Sequence, residues 1–403
     1  MLNLRYLLLL ILFLHPALQG LNGGPSGGLL AAWSPFGIAA ILIVYLSLVY
    51  FLIKRKMIIK GLFSFNPFFL LLCAALASIF ISEFPVFSLK DFLELSSIFV
   101  VYILGANLFG SKERLKILAN VIIASSVIPL AAALFQAASK SGSLEDNVMR
   151  AKGTLSHPNE LGFYLLLTFP LLAGNLTREE SGKSARISIP VLILCALTIY
   201  ALKCTYTRGA WIAFALEMAV LWFFSRRKVP ALAAVSSLCG VALLAMPDII
   251  ARFTSISSQH SSFFWRLETW KILAQIAMKR PVAGYGIGTS AFIYDKFGYQ
   301  LKVPHNDYLR VFLEMGAAGT AAYVWLWVSI FISGWYFFRK AGGDVFLKRA
   351  GAAFIAVSVA YAVSSAADNL FNNSLLLWPF FCFAGALAGI YGKKPRQKEG
   401  VCT

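Results

Sequence analysis

Long apolar stretches recur along the whole chain and limit its fold more than any other feature of the sequence. About twelve of them approach the roughly 17 to 25 residues with which an α-helix crosses a bilayer. We place them at residues 3 to 18, 33 to 53, 64 to 82, 91 to 109, 114 to 137, 160 to 177, 185 to 203, 209 to 225, 229 to 246, 316 to 338, 349 to 367 and 374 to 391. Hydrophobic residues make up 59% and charged residues 13% of the 403 positions, so much of the apolar surface must face lipid. The sequence therefore predicts an all-α polytopic membrane protein.

The first stretch also has features of a signal peptide. Arg5 precedes a run of leucines, and the segment from Pro16 to Gly20 follows it. However, Gln19 would precede the cleavage site, where a small residue is preferred. We therefore interpret the stretch as a span, and its removal would leave the predicted orientation of every later helix unchanged.

Lys and Arg, which give the chain a formal net charge of +18, are concentrated in every second loop. The basic loops contain Lys54, Arg55, Lys56 and Lys60; Lys112, Arg114 and Lys116; Arg178, Lys183 and Arg186; Arg226, Arg227 and Lys228; Arg339, Lys340, Lys348 and Arg349; and Lys393, Lys394, Arg396 and Lys398. Because positive residues collect on the cytoplasmic side of a membrane, this alternation predicts that both termini are cytoplasmic. The charge thus reports orientation, and we predict membrane lipid and no nucleic acid as a partner.

Basic residues also occur on the predicted outer side, and two segments that contain them are of particular interest. One is Cys204–Arg208, and the other is the long loop from Asp248 to Met315. Loops of such length are usually functional or disordered. We divide the chain into transmembrane helices 1–9 over residues 1–246, a periplasmic loop with catalytic motifs over 247–315, and transmembrane helices 10–12 with a basic cytoplasmic tail over 316–403.

The long loop has a pattern that is typical of an amphipathic helix at a membrane surface. Its apolar positions, which recur at helical spacing, are Phe263, Leu267, Trp270, Leu273, Ala274 and Ala277. Pro281 ends this predicted helix, and the segment from Gly284 to Gly288 follows. Since no strand precedes these glycines, we interpret them as a tight turn and not as a nucleotide-binding loop.

Two polar residues on the predicted outer side are candidates for a site. His305 lies just before Asn306 and Asp307, either of which can cap the helix that returns the chain to the membrane. A surface histidine or a capping element is the alternative interpretation. Arg208 begins the eighth span, where its charge opposes the positive end of the helix dipole. A bound anion would explain this position better than an arginine that extends to lipid headgroups.

Other polar positions in the spans and near their ends are less specific. Glu217 lies midway along the eighth span, where a carboxylate is costly. It indicates either a proton relay in transport or a protonated or hydrogen-bonded carboxyl inside the helix bundle. The segment from Asn369 to Asn373 is typical of anchoring at the membrane interface. The cysteine and histidine spacings predict no disulfide framework and no metal site.

Several short motifs occur together in a specific order. They are Arg150-Ala-Lys-Gly-Thr-Leu-Ser-His-Pro-Asn159-Glu-Leu-Gly162, Thr205-Tyr-Thr-Arg208-Gly-Ala-Trp211, Arg266 with Trp270, Pro281 to Gly288, and His305-Asn306-Asp-Tyr308-Leu followed by Glu314-Met-Gly316. This order resembles the O-antigen ligase and O-antigen polymerase superfamily of bacterial inner membranes. The motifs extend from about Arg150 to the C-terminus, and the number of spans extends the resemblance to the whole chain.

The resemblance implies an enzyme with a GT-C-type fold. Members transfer a glycan from an undecaprenyl diphosphate carrier to an acceptor hydroxyl at the periplasmic face, without a nucleotide sugar and, in the ligases, without a metal. Arg208 and Arg266 match the arginines that engage the diphosphate, and His305 matches the essential histidine. The resemblance implies further substrate contacts at positions that match the family or lie in the same motifs, namely Arg150, Asn159, Arg252, Asn306 and Tyr308.

The expected chemistry is metal-independent transfer with inversion, and no cofactor is predicted. His305 would act as the general base, because a neutral imidazole can take the proton of the attacking hydroxyl. Ligation of O-antigen to lipid A-core leads the hypotheses. A polymerase would instead use a second lipid-linked repeat as its acceptor. From other classes, a membrane transporter is suggested by Glu217, and a non-catalytic lipid-binding scaffold would have no use for the histidine.

Overall fold

The structure is a computed structural model that describes residues 4–19, 35–54, 63–145, 148–178, 186–224, 262–299, 304–371 and 373–392. The helices in these ranges are α1 (Leu4–Leu18), α2 (Pro35–Ile53), α3 (Phe65–Phe80), α4 (Pro85–Leu108), α5 (Lys112–Ser125), α6 (Val127–Ser139), α7 (Pro158–Ala173), α8 (Ile189–Cys204), α9 (Arg208–Phe224), α10 (Ser262–Ala277), α11 (Ser290–Lys296), α12 (Asp307–Lys340), α13 (Val345–Ser365) and α14 (Ser374–Tyr391). Two short antiparallel hairpins pair β1 (Ser143–Glu145) with β2 (Val148–Arg150) and β3 (Thr177–Arg178) with β4 (Arg186–Ile187).

The helices confirm the prediction of an all-α membrane protein with several spans. Four described segments are long and apolar enough to cross a bilayer, namely α5 together with α6, and α12, α13 and α14. Shorter apolar helices are α1, most of α2, α3 and α8. The predicted ninth span, residues 229 to 246, lies outside the described residues.

Helices α4 and α14 form the centre of the helix bundle. Small residues allow their backbones to approach closely, as is common where helices pack in membranes. A Cβ atom at Gly105 would overlap the carbonyl oxygen of Cys382, and one at Gly385 would overlap the carbonyl oxygen of Tyr102. The interface therefore fixes the position of the segment that leads into α14, which carries part of the candidate site.

One predicted span is broken in the structure. The stretch from 114 to 137 forms α5 and α6, which meet at Ser126. Pro129 explains the break, because its ring lacks an N–H and would clash with the carbonyl of Ser125 in a continuous helix. The length of the apolar stretch is predicted correctly, whereas its continuity is not.

Helix α10 packs against neighbouring helices. Leu273, Ile276 and Ala277 of α10 are buried in a small apolar cluster with Tyr294 and Leu313. This confirms the predicted helix and shows that its buried face packs on α11 and the first turns of α12.

The tight turn predicted at residues 284 to 288 is confirmed. Gly284, Gly286 and Gly288 have φ angles of 73°, 108° and 76°, which favour glycine. The turn lies against a break in α12 at Gly316, where φ is 62° and ψ is −162°. A Cβ atom at Gly316 would overlap the carbonyl oxygen of Val282. The turn and the break thus fit together.

A buried ionic cluster lies one turn before this break. Arg310 Nη2 contacts Asp91 Oδ2 of α4 at 2.7 Å, and Arg310 Nε contacts Glu314 Oε1 at 3.1 Å. The exposed fractions of the three side chains are 14%, 13% and 0% in the order Arg310, Asp91 and Glu314. Opposite charges are in direct contact, so this cluster fastens α12 to α4.

Candidate functional site

His305 lies at the start of α12 with a backbone conformation that is unusual for a non-glycine residue. Its φ is 48°, and its backbone N–H donates a hydrogen bond to Asn369 Oδ1 at 3.0 Å. Asn306, the next residue, accepts a hydrogen bond from the N–H of Leu309 at 3.0 Å, which confirms the predicted helix cap. Left-handed backbone of this kind costs free energy and persists at sites where neighbouring contacts hold it in place.

The His305 ring is positioned by the loop between α13 and α14. Its Nδ1 atom lies 3.3 Å from Asp368 Oδ1 and 3.1 Å from Asn369 Nδ2. A neutral imidazole cannot make both hydrogen bonds, because Nδ1 either carries a proton or accepts one. A bare Nδ1 lone pair facing a carboxylate would be repelled. The Asn369 amide N–H favours a bare Nδ1, whereas the Asp368 carboxylate favours a proton on Nδ1. In the tautomer that pairs with Asp368, Nε2 is the proton acceptor, as a general base requires.

Asp368 is held as a carboxylate by its surroundings. Burial alone would raise the pKa of this carboxyl, but the hydrogen bond with His305 and the positive charge of Arg266 outweigh burial and lower the pKa below its ordinary value of 3.8. Arg266 Nη1 donates to the carbonyl oxygen of Ala367 at 2.6 Å, directly beside Asp368. The side chain of Trp265 lies at the edge of the same site, with its ring centroid 6.0 Å from that of His305. Arg266 and His305 therefore both contact the loop between α13 and α14.

Asn159 connects this loop to a second part of the chain. Its Nδ2 atom donates to Asp368 Oδ2 at 2.6 Å, and its Oδ1 atom accepts from Arg150 Nη2 at 2.6 Å. Arg150 Nε also donates to the carbonyl oxygen of Thr205 at 2.8 Å. Both polar side chains are buried, so the Arg150–Asn159 pair forms an internal support for Asp368.

Arg208 lies one residue beyond this network. Thr207 accepts a hydrogen bond from Arg150 Nη2 at 3.1 Å and donates one to Asn159 Oδ1 at 3.2 Å. Arg208 then begins α9, as the hydropathy pattern predicted for the eighth span, and is half-buried. The network therefore links the start of α9 to Asp368 and His305.

Two other candidate residues make contacts within the protein. Asn306 is the helix cap, and the Tyr308 hydroxyl donates to the carbonyl oxygen of Ala362 at 3.0 Å. Arg252, the remaining candidate substrate contact, lies outside the described residues.

Glu217 is separate from this network. It is fully buried in α9, and neither of its carboxyl oxygens has a hydrogen-bond partner among the described residues. Its position inside the bundle agrees with the interpretation of a buried carboxyl, and of the two predicted forms, protonated or hydrogen-bonded, the described residues offer no partner for the second. A neutral carboxyl is the form that such burial favours.

Sequence reasoning missed four residues of the site. Asn369 belongs to the segment from Asn369 to Asn373 that is interpreted from the sequence as an interface anchor, and Asp368 directly precedes it. The structure places Asn369 against His305. Glu145 lies beside both Arg150 and His157, and His157 is part of the motif from Arg150 to Gly162. An acidic residue next to the asparagine run was the available signal for Asp368.

The helices and the polar network define a class, a multi-pass membrane protein with a buried polar site formed where helices begin and end. Residues 193–324 match the family model described as O-antigen ligase, and this segment contains Arg208, Arg266 and His305. The match confirms the resemblance to the O-antigen ligase superfamily. It supports a glycan-transferring enzyme of the ligase or polymerase type, with lipid-linked glycans as the general class of substrate. No curated protein matches the chain.

Proposed function

We propose that this protein is a metal-independent inverting glycosyltransferase of GT-C architecture with about twelve spans. It transfers a glycan from undecaprenyl diphosphate to an acceptor hydroxyl at the periplasmic face of the bacterial inner membrane. The contact between His305 and the carboxylate of Asp368 carries the proposal, because it prepares an imidazole to accept a proton.

His305 acts as the general base. Its Nε2 takes the proton of the acceptor hydroxyl while the hydroxyl oxygen forms a bond to the anomeric carbon. The bond between that carbon and the diphosphate oxygen breaks, and its electron pair stays on the diphosphate. A single displacement of this kind inverts the configuration at the anomeric carbon. The proton then leaves His305 for water.

Arg208 and Arg266 bind the diphosphate and stabilise the charge that it gains as the bond breaks. Guanidinium groups suit phosphate oxygens because they donate paired, charge-assisted hydrogen bonds. Stabilisation that grows towards the transition state raises the rate of the chemical step. Thr207, the residue before Arg208, is hydrogen-bonded to Arg150 and Asn159. The position of Arg208 next to this network favours its role in binding the diphosphate.

Asp368 acts as a positioning residue for His305, and Asn159 and Arg150 hold Asp368 in place. Asn159 fixes the second carboxylate oxygen of Asp368, and Arg150 fixes Asn159. These contacts favour an indirect role for Arg150 and Asn159 over direct substrate contact. We expect Asp368→Asn to lower kcat more than it changes KM for either substrate, because the wrong tautomer of His305 would then be accessible.

Reconstitution with defined acceptors tests the proposal. Purified protein receives a carrier-linked glycan together with either lipid A-core or a second carrier-linked repeat, and the products are separated by mass and by anomeric configuration. Extension of lipid A-core identifies a ligase, and extension of the second repeat identifies a polymerase. Ligation is our first choice. A product with the anomeric configuration of the donor would contradict the single displacement.

The second candidate function is transport, for which Glu217 is the specific observation. Transporters place their polar groups near the bilayer midplane. In the described residues the connected network instead lies at helix ends, around His305 and Asp368. Failure to extend either acceptor, with folded protein and intact donor, would favour transport.

A further inference from the structure

Glu145 and His157 form an accessible polar pair at the edge of the network. His157 Nε2 lies 3.4 Å from Glu145 Oε1, and 45% of the His157 side chain and 28% of the Glu145 side chain are exposed. The buried residues of the network, Arg150 and Asn159, are far less accessible. This pair is therefore the more accessible part of the network.

The His157 ring has a defined orientation. It caps the N-terminus of α7, and its Nδ1 atom accepts a hydrogen bond from the N–H of Asn159 at 3.1 Å. A neutral ring that accepts at Nδ1 carries its proton on Nε2. Burial lowers the pKa of His157, and the nearby charge of Glu145 offsets this only in part. At neutral pH the ring thus carries an N–H on Nε2, which lies 3.4 Å from Glu145 Oε1.

Glu145 is also fixed in place. Its Oε2 atom accepts from Arg150 Nη1, and its Oε1 atom accepts from the hydroxyl of Ser143 at 3.2 Å. Each carboxylate oxygen can accept more than one hydrogen bond, so Glu145 retains capacity for a ligand. The site offers an acceptor and a donor side by side.

The pair lies next to the candidate general base. Asn159, two residues from His157, contacts Asp368 at 2.6 Å, and Asp368 lies 3.3 Å from the His305 ring. One buried layer therefore separates the accessible pair from the base.

The chemistry of the pair indicates a different ligand from that of Arg208 and Arg266. A carboxylate repels a diphosphate, whereas a carboxylate beside an imidazole N–H can bind two hydroxyl groups of a sugar. We propose that Glu145 and His157 form the subsite that binds a neutral sugar residue of the acceptor. This inference rests on the proposed function and adds to it the place and the charge preference of the acceptor.

Two substitutions test the subsite. His157→Asn keeps a residue that caps helices well and removes the Nε2–H donor. We expect it to raise KM for the acceptor by roughly 2- to 10-fold, the size of one lost net hydrogen bond, with an unchanged KM for the donor. Glu145→Gln should raise the acceptor KM by about tenfold, since it replaces a charged partner. The assay uses lipid A-core, or the carrier-linked repeat if that is the acceptor that wild-type protein extends.

A second experiment tests whether the subsite prefers a neutral sugar to a negatively charged one. The acceptor is prepared with a terminal hexose or with the corresponding hexuronic acid. Wild-type protein should prefer the hexose because Glu145 repels the acid, and Glu145→Gln should reduce this preference. Leu144→Ala is the matched control, because Leu144 lies on the same strand with 66% of its surface exposed and should leave both values unchanged.

The remaining outcomes would contradict the proposed subsite. An unchanged acceptor KM in both folded variants would overturn the subsite, as would a rise in the donor KM alone. A lower kcat with a shifted pH profile and constant KM would make His157 a second base instead. If wild-type protein extends neither acceptor, the proposed function and the subsite both fail; if it transfers and the variants behave like wild type, only the subsite fails.

Discussion

Two polar clusters lie at the start of α12 and differ in how their charges are arranged. His305 precedes the helix by two residues, and Arg310 lies in its first turn. Arg310 contacts the carboxylates of Asp91 and Glu314 directly. In the other cluster, Arg266 donates to a carbonyl oxygen, and Asp368 is shared between His305 and Asn159. The first cluster pairs its arginine directly with two carboxylates, whereas in the second the carboxylate is contacted by an imidazole and an amide.

Charged residues that lie close together in a membrane protein can therefore have different roles, one in stability and another in substrate transfer. Direct pairing of an arginine with carboxylates satisfies each group and leaves little for a ligand. Arg266 instead donates to a neutral carbonyl, and its charge acts on the Asp368 carboxylate without a direct ion pair among the described residues. Substitutions should therefore affect stability in the Arg310 cluster and transfer in the His305 cluster.

The largest effect should follow the loss of the His305 ring. His305→Asn retains a residue that tolerates left-handed backbone and removes the base, so transfer should fall by roughly 10²- to 10⁴-fold. Initial rates of glycan transfer measure this loss, and a thermal unfolding curve in detergent serves as the control. Near-normal transfer by His305→Asn would move the general base to another residue.

The next effect should appear in stability. Arg310→Met leaves Asp91 and Glu314 buried without their cation, and we expect the free energy of unfolding to fall by about 3 to 5 kcal/mol. Denaturant unfolding in detergent measures it. The double variant with Asp91→Asn should recover part of the loss. A stable Arg310→Met protein with a selective defect in donor binding would remove the contrast between the clusters.

A smaller effect is expected for Arg266. Loss of one charge-assisted hydrogen bond costs about 1.5 to 3 kcal/mol, so Arg266→Ala should lower kcat/KM for the donor by roughly 10- to 150-fold. For Arg266→Lys, the kcat/KM for the donor should lie between those of Arg266→Ala and wild type, because lysine keeps the charge but not the paired donors. The KM for the acceptor should be unchanged in both. An equal change for both substrates would argue against a diphosphate contact.

The smallest effect concerns the pH dependence of stability. Because the pKa of Asp368 is lower in the folded protein than its ordinary value of 3.8, the unfolded chain binds more protons in that range. The stabilisation is present above about pH 4 and is lost as the pH falls through the folded pKa. Unfolding curves of wild type and Asp368→Asn should thus converge on acidification. A constant difference down to the acid limit would indicate that the carboxylate form is not what stabilises the loop.

Much of the helical fold could be predicted from the sequence, because apolar length is set by the bilayer. The starts of α9 and α12 were predicted from local signals, namely the hydropathy change at Arg208 and the cap at Asn306. The break at Ser126 was not predicted, although Pro129 was a local signal for it. The break at Gly316 depends on a neighbouring turn that is distant along the chain.

The candidate site could be predicted only in part for a similar reason. Motif residues such as His305 and Arg266 were recognised one by one. Their connection passes through Asp368, which meets Asn159 across a separation of 209 residues. No local periodicity reports such a contact, and the polar run around Asp368 has the composition of an interface anchor. The orientation of the ring and the accessible pair at Glu145 therefore required coordinates.

The fit between Val282 and Gly316 has a consequence for hybrid proteins built by exchanging parts with relatives. Since the backbone of Val282 fills the space that a side chain at residue 316 would need, the two segments form a matched pair in shape. A hybrid joined between residues 282 and 316 would combine halves that were never selected together. Crossover points before Pro281 and after Ala317 keep the pair intact, and such exchanges should give more folded protein than those that divide it.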